Sequence, residues 1–572
     1  MKGEMKEKLK HILDLTLEAC FQQERLVHVP RPDYVIEVPN NPGHGHFATN
    51  LPMALAASQK RPPREIAHIL VDRMQDAEGM LERVEVAGPG FINFTISRKE
   101  WCGVVRRIMD RTGDYGRSDL GEGQRVLVEF VSANPTGPLH LGHGRGAALG
   151  DTLCRVLSYT GYEVVREFYI NDAGQQIRLL GESIYGRWMQ KSDPEYPFPE
   201  NGYHGDYVGD LASHISRQVN LHELEQEEAV QICAELGKAE MLQEIKQDLT
   251  RFRVRFDVWS KESGLHQSGL LEKSLEDIRE KGLIYEKDGA VWIKTSQFGD
   301  DKDRVIRKSD GEYTYFASDI CYHLEKWRRG FSRAVNIWGA DHHGYVQRVK
   351  AALKTNGLSG DWLSVLLIQL VKLWKGDQEI KMSKRAGQYV TLKELMEEVG
   401  VDAVRFVFLT KNHDSPLDFD IDLVKKQDSD NPVYYVQYAH ARICSIFRKG
   451  VEEGVTIPED LGPEDPGPED TGDISQFLVL EEEMTLMRLM AEFPALLEEI
   501  AKNLEPHRLT YYLTELASAF HRYFNVGTRT PEYRIVCSDR DVSKARLLLA
   551  GAVRRVLHIG LDLMGIYAPE RM

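Results

Sequence analysis

The chain has 572 residues, enough for three or four domains at roughly 100–200 residues each. Hydrophobic residues at 42% and charged residues at 28% exclude a wholly disordered chain and a collagen-like or disulfide-dense scaffold. The formal charge of −16, from 72 basic and 88 acidic residues, taken as a total argues against a nucleic-acid binder. That charge is uneven. Residues 451–475 hold nine acids and no Lys or Arg, whereas 516–572 carry nine Lys/Arg against five Asp/Glu, a local +4, so one domain can still present a basic face. The seven cysteines form no CxxC pair, which removes a zinc or dithiol motif and fits a reducing cytoplasm. No apolar run is long enough to read as a membrane span, and the opening MKGEMKEKLKHILDLTLEAC lacks the continuous apolar core of a signal peptide.

In chain order, residues 1–115 open with an amphipathic helix, pass through the Pro/Gly-rich VPNNPGHGHFATN and end in the alternating VEVAGPGFINFTIS, so an α+β unit is expected. RTGDYGRSDLGEGQ then reads as a linker. Residues 116–430 begin with the strand-like RVLVEFVS. A helix follows, with Leu149, Leu153, Val156 and Leu157 at helical spacing and Gly161 as its stop, and then a second strand, YEVVREFYI. Strand, helix, strand implies a parallel sheet, and RAVNIWG, ADHHGYVQRVKAAL and SVLLIQLVKLW repeat the pattern. The expectation is one α/β parallel-sheet domain carrying a helical insertion around 175–290. Residues 431–572 read as all-α, interrupted by the acidic Pro/Gly-rich loop 451–475.

Two stretches carry chemistry. In SANPTGPLHLGHGRGAALGD (132–151), His140 and His143 fall near a helix start at the carboxyl edge of the sheet, where ligands and phosphates bind. Gly137, Gly142, Gly144 and Gly146 are expected to let a bulky ligand approach the backbone. An isolated HxxH is more often a Gly-rich turn with surface histidines, and no nearby Cys or carboxylate completes a metal site. The glycines come too late after the strand for a dinucleotide fingerprint. In LVKLWKGDQEIKMSKRAGQYVTL (370–392) a hairpin leads into a loop crowded by Lys381, Lys384 and Arg385, with Ser383 and Gly387 allowing it to flex over a polyphosphate. Alone, such a loop is more often a solvated surface feature.

Together, HLGH and KMSK resemble the two signatures of class I aminoacyl-tRNA synthetases. VEFVSANPTGPLHLGHGRGAALGD, DGEYTYFASDICYHLEKW, GADHHGYVQRVKAAL and VYYVQYAHARICSI resemble arginyl-tRNA synthetases over essentially the whole chain. The resemblance implies a Rossmann-like catalytic domain at 116–430, a tRNA-contacting N-terminal domain at 1–115 and an anticodon-binding domain at 431–572. It implies ATP with Mg²⁺, L-arginine and arginine tRNA as substrates, an arginyl-adenylate, transfer to the 2′-hydroxyl of the terminal adenosine, no zinc and a monomer. His140, His143, Lys381 and Lys384 would be catalytic, with Gly142, Met382 and Ser383 also at the ATP. Glu129, Ser132, Asn134, Tyr315, Asp319 and Asp341 would hold arginine, Asp319 pairing with the guanidinium, a planar fork that carboxylates match. Phe47, Asn50 and Asn93 are candidate tRNA contacts. So are Arg522, Arg529, Arg534, Arg540, Lys544, Arg546, Arg554 and Arg555, interleaved with Tyr523, Phe524 and Tyr533. Tyr567 reads equally as core or tRNA-facing. Two rivals stay open: a class I synthetase for another amino acid, and a catalytically inactive RNA-binding relative.

Overall fold

The computed structural model describes residues 2–39, 41–77, 79–109, 114–172, 174–267, 269–380, 390–455 and 473–572. The first region packs helices Leu51–Gln59 and Pro63–Asp72 against a four-stranded antiparallel sheet whose order is Ile36–Glu37, Phe47–Thr49, Phe91–Ile96, Leu81–Ala87, with helix Lys2–Gln22 lying on Pro63–Asp72. Alternation along FINFTI turns Ile92, Phe94 and Ile96 into the core, all fully buried. Phe47 lies in that core and Asn93 is buried between strands, so both pack within the sheet. Asn50 accepts the Val35 amide at 2.8 Å and precedes helix Leu51–Gln59. The expected linker is a packed strap. The Tyr115 ring stacks on Phe493, its hydroxyl donates to the Met490 carbonyl at 2.9 Å, and Tyr115 and Leu120, both half-buried, pack against the main core.

The middle region is built on a five-stranded parallel sheet of β1 (Arg125–Glu129), β2 (Glu163–Ile170), β3 (Val258–Lys261), β4 (Arg333–Gly339) and β5 (Leu363–Ile368). Its spatial order is β5-β4-β1-β2-β3. Helix α1 (Leu141–Tyr159) crosses from β1 to β2, and Gly161, at φ +90°, turns the chain after it. Helices α2 (Gln175–Met189), α3 (Asp206–Gln218) and α4 (Gln226–Arg251) enclose a small core of their own. The insert is not one helical unit. β3 returns to the central sheet, and VWSK is too short for its period to show in sequence. A separate antiparallel sheet, Ile284–Lys287, Ala290–Ile293 and Arg304–Arg307, precedes α5 (Tyr315–Arg328). After β4 comes α6 (His343–Thr355). SVLLIQLVKLW is two strands, β5 and β6 (Val371–Lys375), and β6 forms a hairpin with β7 (Gln378–Ile380).

Helices α7 (Leu392–Val399) and α8 (Val401–Phe408) lead to β8 (Leu417–Asp420), parallel to β6. The last region packs α9 (Pro432–Glu452), α10 (Glu481–Asn503), α11 (Arg508–Arg529) and α12 (Arg540–Leu563). Residues 456–472 of the acidic segment lie outside the described residues. Two of the expected RNA contacts are core groups instead. Arg546 and Tyr523 are buried and both bond Glu483, at 3.0 and 3.1 Å. An ion pair sealed between α10 and α12 leaves neither side chain for a base. Arg554 lies over the Phe447 ring and Arg555 donates to the Ile108 carbonyl at 2.7 Å, tying α12 to the first region. Arg522, Arg529, Arg534, Arg540, Lys544, Tyr533 and Tyr567 are exposed, and Phe524 sits under the Arg442 guanidinium.

One joint ties the middle and last regions together. Arg405 on α8 is fully buried and donates to Asp151 of α1 at 2.6 Å, the Phe252 carbonyl after α4 at 2.8 Å and the Met564 carbonyl after α12 at 2.7 Å. Asp402 nearby accepts from Gln437 at 2.9 Å and from the Tyr567 amide at 3.2 Å.

Candidate functional site

The strand order reverses between β1 and β4, and the carboxyl ends of all five strands face one way, which is where α/β sheets open a ligand crevice. β1 ends at Glu129, β2 leads to Asp172, β3 to Glu262, β4 to Asp341 and Tyr345, and β5 to Gln369. The exit from β1 is strained. Val131 and Ser132 have φ of +67° and +41°, and the Ser132 amide donates to the Phe130 carbonyl at 2.9 Å, a γ-turn of the rarer hand. A β-branched residue is held there only by its surroundings. The turn aims the Ser132 hydroxyl at Glu129 Oε1, at 2.9 Å, while Ser132 Oγ accepts the Tyr169 amide at 3.1 Å.

His140 and His143 form the N-terminal cap of α1. His140 Nδ1 accepts the Gly142 amide at 3.1 Å, His143 Nδ1 accepts the His140 amide at 3.3 Å, and the rings stack with centroids 3.7 Å apart. Since both Nδ1 atoms accept, each neutral ring carries its proton on Nε2, a donor suited to a phosphate oxygen. A side chain at Gly142 would press on the His140 ring at 3.1 Å. Gly144 and Gly146 serve packing rather than ligand approach. A Cβ at Gly144 would meet Leu392 at 2.7 Å and Phe408 at 2.9 Å, and one at Gly146 would meet Ile368 at 3.2 Å. Arg145, fully buried, donates to the carbonyls of Gln369 (2.9 Å), Asn412 (2.8 Å) and Ser415 (2.9 Å). It therefore clamps the signature helix to the root of the β6/β7 hairpin. Lys381, Met382, Ser383 and Lys384 follow that hairpin and lie outside the described residues.

At the same carboxyl edge of the sheet lies an acidic, tyrosine-lined cluster. The Tyr169 hydroxyl is pushed up by burial and by the surrounding Glu262, Asp319, Glu129 and Asp172 carboxylates. Asp319 accepts from the Tyr345 hydroxyl. Burial raises its carboxyl to about 7; the Tyr345 bond opposes that shift, and the Glu129 and Glu262 charges add to it. Thr314, not Asp319, caps α5, accepting the Ala317 amide at 3.4 Å. Asp172 is held by the Ser263 amide and hydroxyl at 3.0 and 2.8 Å. Glu167, at the base, takes bonds from Tyr322 (2.6 Å), Ser260 (2.9 Å) and Arg329 (2.6 Å).

Of the residues expected to hold arginine, Glu129, Ser132 and Asp319 come together here. Tyr315 is exposed at the first turn of α5. Asp341 is exposed at the end of β4, with His342 at 3.7 Å. Asn134 lies on the loop after β1, its amide donating to Gln176 of α2 at 2.6 Å. Sequence reasoning missed Glu262, Asp172, Tyr169 and Tyr345. The signal available was an acidic residue just beyond successive parallel strands, hidden for Glu262 because β3 was read as insert. Among the described residues no group of three or more His, Cys, Asp or Glu is arranged to hold a metal. No helix among them is long and apolar enough to cross a membrane.

A reversal-point crevice with a histidine-capped helix is the architecture of a nucleotide-activating catalytic domain. The family described as tRNA synthetases class I (R), catalytic domain, matches residues 105–428, which makes this region a class I aminoacyl-tRNA synthetase domain. The arginyl tRNA synthetase N terminal domain matches 5–96 and the DALR anticodon binding domain matches 436–572. An arginine–tRNA ligase of Syntrophotalea carbinolica is 47% identical over 571 residues, covering 99% of this chain and 100% of that one. One of Geobacillus kaustophilus is 43% identical, covering 100% of this chain and 99% of that one. The fold matches Thermus thermophilus arginyl-tRNA synthetase with a TM-score of 0.72 at 23% identity, over 99% of this chain and 100% of that one. The chain belongs to the arginine–tRNA ligase family. Its reaction is the charging of tRNA with arginine, and its substrates are arginine, ATP and tRNA.

Proposed function

We propose that charging runs through an arginyl-adenylate formed at the β1/β4 crevice and ends on the 2′-hydroxyl of the terminal adenosine. The observation that carries this reading is the set of four carboxylates around Tyr169, at the same carboxyl edge of the sheet that the two-histidine cap of α1 follows. In it, Asp319 takes the guanidinium, with Tyr315 and Asp341 at the rim, and Glu129, Ser132 and Asn134 take the α-amino end. A pocket that discriminates by charged hydrogen bonds rejects lysine by geometry. The His140 and His143 Nε2–H groups face the phosphates, Gly142 leaves room for the nucleotide, and Lys381, Met382, Ser383 and Lys384 close over the leaving pyrophosphate. These groups position and neutralise, as phosphoryl chemistry requires. Mg²⁺ enters bound to ATP, as part of the substrate. The N-terminal unit, 1–115, and the C-terminal unit, 431–572, hold the tRNA. The enzyme acts as a cytoplasmic monomer.

The test is ATP–pyrophosphate exchange across the twenty amino acids, with and without tRNA. Exchange confined to arginine and dependent on tRNA is expected. Exchange with another amino acid would discard Asp319 as the guanidinium partner, and no exchange from folded protein would discard the adenylate route.

A further inference from the structure

We infer that Lys326 is a positioning residue that sets the Glu129 carboxylate for the α-ammonium of arginine, so that helix α5 spans the amino acid from end to end. This deepens the proposed arginine pocket and rests on it. Lys326 is fully buried, and its ammonium has three neighbours: Glu129 Oε2, Asn336 Oδ1 at 3.2 Å and the Tyr322 ring at 4.2 Å. Glu129 Oε1 meanwhile takes the Ser132 hydroxyl at 2.9 Å. With a cation on one oxygen and a hydroxyl on the other, the carboxylate plane is fixed. Each oxygen keeps a lone pair for a further donor.

The other side of the network runs back to Asp319. Asn336 Nδ2 meets His323 Nε2 at 2.9 Å, and His323 Nδ1 meets the Asp319 carbonyl at 2.7 Å. A carbonyl only accepts, so Nδ1 bears the proton and Nε2 accepts from Asn336. The Asn336 oxygen is then left for Lys326, and every bond in the chain has one polarity. Asp319 and Lys326 are seven residues apart on α5, about 10.5 Å along its axis at about 1.5 Å per residue. The group proposed for the guanidinium and the group that sets the α-amino contact therefore sit on one rigid element, not on separate loops. Stability alone is a poor explanation for the pair, because replacing a buried ion pair with apolar groups is often neutral or favourable.

The test uses the full-length enzyme with two ligands, arginine and 5-guanidinopentanoate, which lacks only the α-amino group. Lys326→Met is expected to raise the arginine KM at least tenfold, with a smaller effect on kcat. The inhibition constant of 5-guanidinopentanoate should shift less than threefold. The charge-balanced double variant Glu129→Gln/Lys326→Met guards against misfolding and should show the same selective loss. Equal weakening of both ligands, an arginine KM within twofold of the parent, or recovery of arginine binding in the double variant would each overturn the inference. Glu129→Gln separates the two levels. If it weakens both ligands alike, the α-ammonium contact itself fails and the inference goes with it. If it is selective while Lys326→Met is silent, only the inference fails.

Discussion

Replacing Asp319 with Asn should stabilise the empty enzyme while destroying its use of arginine. In the folded chain the Asp319 carboxyl is raised from its ordinary 3.8 to about 7, first by burial. Between those values the unfolded chain releases a proton that the folded chain keeps. Stability therefore falls as pH rises from about 4 to about 7, and the penalty is complete above that. The difference corresponds to about 4 kcal/mol. Partial solvent access and the loss of the charged acceptor for Tyr345 reduce the expected gain to roughly 1–3 kcal/mol. Asp319→Asn should thus unfold at higher temperature than the parent at pH 8 without arginine, and the gap should shrink toward pH 4. Arginine reverses the order, raising the parent's midpoint but not the variant's. Losing one partner of a buried charge pair removes about 2–5 kcal/mol, so kcat/KM for charging should fall by about 30-fold to several thousand-fold. Thermal unfolding across pH, with and without arginine, reads all of this. A variant less stable than the parent at pH 8, or a gap that does not widen between pH 4 and 7, would refute the reasoning.

Arg145→Met should leave the carbonyls of Gln369, Asn412 and Ser415 without their donor. It should destabilise the enzyme by about 1–3 kcal/mol and, by loosening the hairpin root, raise the ATP KM more than the arginine KM in pyrophosphate exchange. His46 is lowered from 6.5 to about 4, chiefly by burial and then by Arg488, and His323 to about 3, chiefly by burial and then by Lys326. The unfolded chain takes up protons below 6.5 that these rings refuse, so both histidines remove stability as pH falls from 6.5 toward 4. His46 accepts the Ile96 amide at 3.0 Å, a bond a glutamine oxygen can replace, so in His46→Gln the unfolding midpoint should drop less between pH 7 and 4.5 than in the parent.

What the sequence reveals and what it hides divide along physical lines. The signature helix was readable because its apolar spacing, its stop at Gly161 and the strands on either side are all local. The KGDQ hairpin was readable for the same reason. β3 was not, since four residues carry no period and its pairing to β2 joins positions about ninety apart. Burial was the larger gap. Arg546 and Tyr523 carry the same aromatic-and-basic pattern as an RNA-binding face, and only the partner Glu483, on another helix, turns them inward. Of the pocket, motif strings pointed to Asp319 and Glu129, while Glu262 and Lys326 needed the sheet to bring them close. The second signature lies outside the described residues.

The Arg405 joint also bears on the order in which the enzyme can be finished. Its partners lie 254, 153 and 159 positions away along the chain. During synthesis the helix bearing His140 and His143 emerges early, yet the carbonyl that completes the guanidinium's shell is made after α12. Contacts this remote close late and slowly. The guanidinium's shell therefore closes only once the chain beyond α12 has been made, which links completion of the α1–α8 contact to the C-terminal helices.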